Sequence, residues 1–204
     1  MRISYWGVAA AFVFGAIAAQ AADAPSDPQI AHIAYTAGDL DVKAAEQALE
    51  KSKDKQVRGF AENMVKDHTA VNDQALALVK KLGVTPEDNA TSKSLTKGAA
   101  DKLTELSKLS GAAFDKAYVE NEVAYHKTVN DALAKTLIPS ASNAELKSFL
   151  ETGLKIFQGH QQHAEHLAAT FKKRIRPCAL CCLARRFLRC CKVGRQQARW
   201  PARS

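Results

Sequence analysis

Between residues 27 and 171 the apolar side chains recur at intervals of three and four, the spacing that lines them up on one face of a helix. The first stripe reads Ile30, Ile33, Ala34, Ala37, Ala44, Ala45 and Ala48. It predicts a helix with Asp27 as N-cap and Pro28 at the first helical position, running to about Lys51. A second stripe, Val57, Phe60, Ala61, Met64, Val71, Ala75, Leu78 and Leu82, predicts a helix from about Asp54 that stops at Gly83. A connection carrying Pro86 leads to a shorter helix, about Ser92 to Leu109, after which Ser110-Gly111 interrupts the pattern. Phe114, Tyr118, Tyr125, Val129 and Leu133 mark a third long helix, expected from Ala112 to Leu137 and broken by Ile138-Pro139-Ser140. The last helix is expected to be capped by Ser142, with Glu145 completing a capping box, and to carry Leu146, Phe149, Gly153, Ile156 and Leu167 as far as Phe171.

No alternating β-branched runs occur, so the fold class is all-α. Four long helices, two tight turns and one long crossover holding a short extra helix describe a ferritin-like four-helix bundle. About 145 residues suffice for one domain with its own core.

Both ends depart from this pattern. Met1 to Ala21 has one basic residue, an uncharged apolar run and a small-residue Ala19-Gln20-Ala21 site, the anatomy of a secretory signal peptide. Residues 22–26 then form a linker. The competing reading is an uncleaved membrane anchor, the one route to a membrane that the sequence offers, because no later segment reaches about 18 apolar residues. An extracytoplasmic, periplasmic location is therefore expected. At the other end, residues 172–204 hold eleven Lys or Arg, no acid, and all five cysteines: Cys178, Cys181, Cys182, Cys190 and Cys191. Zinc binding, disulfides and a non-native translation all remain open for this tail, and the abrupt change of composition favours the last.

The tail also explains the charge. The chain has 29 basic and 21 acidic residues, net +8; without the tail and Arg2 it has 17 basic against the same 21 acidic, net −4. The basic balance belongs to the tail, which removes the case for nucleic acid as a partner of the folded domain.

Polar residues interrupt every long apolar stripe. Asp41 does so in the first helix, His68 in the second with Asp67 beside it, Glu122 and His126 in the third, and His160 and His163 in the fourth. Glu122 and His126 are four apart and His160 and His163 three apart, so each pair shares a helix face. All lie near mid-helix, within a depth of roughly 10 Å at 1.5 Å per residue, so four helices can bring them together. Burying such groups unpaired costs several kcal/mol, and mutual pairing or a shared metal removes that cost. Nitrogen and carboxylate donors suit Zn, Cu, Fe or Mn. The bland alternatives are hydrogen-bonded core histidines, an Asp41 at the stripe's edge with Leu40 inward, an ordinary Glu122–His126 pair, and a solvated turn holding His163 and His166. No helix carries the Glu-x-x-His pair of di-iron bundles, so a single metal or a structural network fits better than a di-iron centre.

Several runs resemble a known group. They are Ala37-Gly38-Asp39-Leu40-Asp41-Val42, the Phe60-Ala61-x-x-Met64-x-x-Asp67-His68-Thr69 core of the second helix, Phe114-Asp115-Lys116-Ala117-Tyr118 with His126 eight residues on, and His160. These resemble the exported bacterial proteins grouped as domain of unknown function 4142, over about Asp27 to Phe171. The resemblance implies an extracytoplasmic ferritin-like bundle and no reaction. The sequence departs from the group at Asp41, where Glu is more usual and the shorter side chain reaches less far, and at Glu122, where Gln is common.

Three functions compete: a metal-binding or redox-related bundle using His68, His126 and His160 with Asp41, Asp67, Glu122 or His163; a non-enzymatic envelope or stress-response protein acting through a protein partner or self-association, its cluster structural; and a hydrolase. The hydrolase is weakest, since Gly-x-Ser-x-Gly, His-Glu-x-x-His and a Gly-rich phosphate loop are all missing from the sequence. Ser110-Gly111 before a helix is a generic anion-binding feature.

Overall fold

The computed structural model describes residues 24–175, with side chains to Lys172. The expected signal peptide and all five tail cysteines lie outside the described residues, while the last helix runs past the expected Phe171 to Ile175, into the first residues read as tail. The elements are α1 (Asp27–Lys51), α2 (Lys55–Leu82), α3 (Ala90–Ser107), α4 (Gly111–Ala132), a π-helical turn (Leu133–Leu137), a single turn α5 (Ile138–Ser140) and α6 (Ala144–Ile175). None of the described helices is long and apolar enough to cross a membrane.

The helix ends show how local chemistry sets the frame. Asp54 caps α2 by accepting from the Gln56 and Val57 amides, and α2 stops at Gly83, whose φ of 64° is open to glycine at little cost. Three expectations need correction. Ser26 is the N-cap of α1, so Asp27 falls in the first turn, where its carboxylate accepts from the Ser142 and Asn143 amides and ties α1 to the start of α6. Asn143, one residue after the expected Ser142, caps α6 by accepting from the Glu145 and Leu146 amides. The third long helix is also not broken at Pro139. Regular α geometry ends at Ala132, the backbone widens into the π turn, and the chain stays helical through Ser140 before becoming extended at Ala141. A proline has no N–H to offer and crowds the preceding turn, and a wider turn accommodates both facts.

α1 and α2 form one antiparallel hairpin, α4 and α6 the other. α3 is the crossover. Its start lies near the start of α1, through Asn89 Nδ2 donating to Gln29 O, and its end near the end of α1, through Lys51 Nζ on Ser107 O. It therefore runs parallel to α1 and covers that helix from outside. The long helices enclose two apolar clusters. One holds Ala45, Val57, Phe60, Met64, Phe114, Tyr118 and Leu167; the other holds Ile30, Ile33, Leu133, Leu137, Leu146 and Leu150. Fully burying a side chain such as Phe60 or Ile30 is worth about 1.5–3 kcal/mol. Between the two clusters lies a polar layer.

Candidate metal centre

Five side chains, at least one from each long helix, meet in that layer. Asp41 from α1, His68 from α2, Glu122 and His126 from α4, and His160 from α6 are all buried. Asp41 Oδ2 lies 2.7 Å from His68 Nε2 and 3.3 Å from His126 Nε2. Glu122 Oε2 is 3.6 Å from His126 Nδ1. One donor atom from each of His68, His126 and His160 lies within 4.8 Å of the others, and the same holds for Asp41, Glu122 and His126. Ligands on a tetrahedral ion with bonds of about 2.0–2.1 Å sit roughly 3.3 Å apart, so the three imidazoles need to close by at most about 1.5 Å.

The hydrogen bonds around the cluster fix where protons sit. His160 Nε2 is 3.0 Å from Asp67 Oδ2. An ionised carboxylate can only accept, so Nε2 carries the hydrogen and Nδ1 is left as a lone pair. His126 Nδ1 is 3.0 Å from the Glu122 backbone carbonyl, again an obligate acceptor, which leaves Nε2 as the lone pair. His160 Nδ1, His126 Nε2, both Asp41 oxygens and both His68 nitrogens have no hydrogen-bond partner among the described residues. The 2.7 Å approach of Asp41 to His68 is thus an ion-pair distance without hydrogen-bond alignment. His68 is instead held by its ring, stacked on Phe157 at 4.7 Å and 5°.

Titration tendencies sharpen this picture. Burial pushes Glu122 well above the usual carboxylate range, and the nearby negative Asp41 pushes it further. Burial also works to raise Asp41, but contact with His68 and the charge that His68 and His126 can carry outweigh it, bringing Asp41 down to about 2. Burial lowers His126 and His160. Glu122 is therefore biased towards its neutral form beside an ionised Asp41, and two imidazoles are biased towards the neutral, metal-ligating form.

The sequence matches the family described as Domain of unknown function (DUF4142) over residues 14–167, which is more than half of the chain. The chain belongs to this family. The match begins inside the segment read as a signal peptide and ends short of the basic tail. No curated protein and no solved structure matches.

In this DUF4142 member the structure gathers most of the expected residues and separates one. His68, His126, His160, Asp41 and Glu122 converge. The short Asp41 side chain, a departure from the family's usual Glu, still reaches two imidazoles, and Leu40 is buried as well, so the two do not compete for the inward position. Asp67 stands behind His160 at 39% exposure. His163 does not join the cluster: it is exposed and packs its ring edge-on against Phe60 at 5.1 Å. The three-residue step from His160 turns it far enough to leave the polar layer for the apolar cluster's rim.

The sequence reading missed Asn72 and Asn130, buried one turn after His68 and His126. Asn130 donates to Gln161 Oε1 at 2.9 Å. Asn72 packs so tightly on Gly38 that a Cβ there would meet its Oδ1 at 2.4 Å. Continuing the four-residue step from each histidine would have found both. Tyr125, which donates to Ala37 O at 2.8 Å, was assigned only to the stripe.

Proposed function

We propose that this chain is an exported, periplasmic helical bundle that binds one transition-metal ion through His68, His126 and His160, with Asp41 as the anionic fourth donor. The observation that carries this reading is acceptor facing acceptor in a buried site. The His126 Nε2 lone pair and the ionised Asp41 Oδ2 lie 3.3 Å apart, with His68 and His160 donors close by. Buried lone pairs this close repel unless a cation lies between them, and burial disfavours a proton on His126. A divalent ion satisfies His126 Nε2, His160 Nδ1, one His68 nitrogen and Asp41 together. Asp67 supports the same reading, because a carboxylate on the far nitrogen of a ligating histidine orients the ring and raises its basicity. Three imidazoles and a carboxylate suit Zn, Cu, Fe or Mn. Glu122, neutral and in contact range of His126, serves as an outer-shell group.

A second reading takes the close Asp41–His68 contact as a structural ion pair in a non-enzymatic envelope or stress-response protein. Among the described residues Leu76 is the exposed large apolar side chain, so this reading lacks an apolar patch through which to act.

Zinc and copper titration of the full chain, with serine at its five tail cysteines, separates the two. One equivalent of metal with a raised Tm, lost in His68→Ala, supports the metal centre. No uptake by the parent protein, with His68→Ala merely lowering Tm, sinks it in favour of the ion pair.

A further inference from the structure

The metal layer is the floor of a large apolar cavity. A space of about 740 Å³ runs inside the bundle and is bordered by Asp41, His68 and His126 at one end and by Pro25, Gln29 and Asn89 at the other. From Gln29 to Asp41 is 12 residues of α1, or roughly 18 Å of helix, so the space is elongated along the bundle axis. Its walls between these ends are mostly apolar, with Ile33, Val71, Val129 and Leu150 among them and Asn72 and Thr128 as polar exceptions. The π turn contributes Leu133 and Leu137. Such a volume lies within the roughly 300–1,000 Å³ of small-molecule sites, and apolar walls with a few convergent polar groups are their usual build.

We infer that this cavity binds an unbranched medium-chain carboxylic acid, its alkyl chain along the apolar walls and its carboxylate on the bound metal. The inference rests on the metal reading above. An elongated apolar space favours a chain over a disc-shaped ring system. The polar groups at its inner end, Asp41, His68 and His126, are each at least nine-tenths buried and carry unpartnered atoms. Without metal, Asp41 repels a carboxylate head. With metal in place, the ion's charge offsets that of Asp41, and a carboxylate entering from the cavity side joins the four protein donors as a fifth. Metal and acid therefore bind in that order, and each tightens the other.

The test uses the full chain with serine at its five cysteines, titrated first with zinc and then with dodecanoate in the same calorimeter cell. The expected result is one dodecanoate per zinc-loaded chain, with affinity at least tenfold weaker after chelation. Filling the cavity with Ala34→Phe and Ala75→Leu, both wall positions distant from the donor atoms, should abolish dodecanoate binding while zinc stoichiometry is kept. Zinc uptake without dodecanoate binding overturns this inference and leaves the metal reading standing. Equal binding with and without zinc overturns it too, because the head then sits elsewhere, as at Lys135 by the cavity's mouth. Absence of zinc uptake removes the carboxylate's partner and refutes both.

Discussion

Replacing Glu122 by Gln should make the metal-free protein more stable as pH rises, and the sign follows from where its proton sits. Glu122 is fully buried, and burial together with Asp41 holds its carboxyl well above 4.5 in the fold. The unfolded chain ionises at the ordinary value, so above about pH 4.5 the native state binds more protons than the unfolded state. Stability present below that pH is then lost as pH rises towards the folded value, at up to about 1.4 kcal/mol per pH unit. Several charged or titratable groups surround the side chain. They are Asp41 on α1, Lys102 of α3 lining a small pocket shared with Glu122, and His126, Tyr118 and Tyr125 on α4 itself. Asp41, lowered to about 2, adds its own slope only below its unfolded value of 3.8. His126 and His160, lowered by burial, act in the opposite sense up to 6.5, but they do so in parent and variant alike. Subtracting the two proteins isolates Glu122. Urea unfolding with chelator at half-unit steps from pH 4 to 7 should therefore give near-equal stabilities at pH 4 and a difference favouring Glu122→Gln that grows with pH. A difference that stays flat across that range would show that Glu122 ionises in the fold, and the account of the buried acid pair would be wrong.

Other substitutions test other links. Asp67→Ala should weaken zinc binding by roughly 10–100-fold, read by competition with a chromophoric chelator, while Tm in chelator changes little, because Asp67 orients His160 from a part-exposed position. Gly38→Ala should gain about 0.5–1 kcal/mol of helix propensity but lose about 1–3 kcal/mol to the clash with Asn72; adding Asn72→Ala should recover the loss, and strict additivity in urea melts would refute the contact. Phe60→Ala, at the centre of one apolar cluster, should cost about 3–5 kcal/mol in the same melts. Asp27→Ala should cost about 1 kcal/mol, since the Ser142 and Asn143 amides lose their acceptor; an unchanged midpoint would show that water replaces it fully.

The helices and much of the cluster are legible in the residue pattern. A 3.6-residue period is a local property, so the stripes of α1, α2, α4 and α6 placed four helices and their inward faces before any contact was known. Polar residues on those stripes were legible for the same reason: Asp41, His68, Glu122, His126 and His160 stood where apolar residues belong. The tertiary structure alone decided what periodicity does not carry. His160 and His163 share a face at the resolution of a helical wheel, yet only packing against Phe60 shows that His163 belongs to the rim. Which end of each imidazole is bare depends on Asp67 and on the Glu122 carbonyl, partners set by helix rotation and depth. The start of α6 combines the Asn143 cap with an Asp27 carboxylate, from 115 residues before Ser142, that accepts from the Ser142 and Asn143 amides, a pairing invisible to local pattern. The cavity, finally, is the space that four helices fail to fill, and its volume depends on the distances between them rather than on any one stripe.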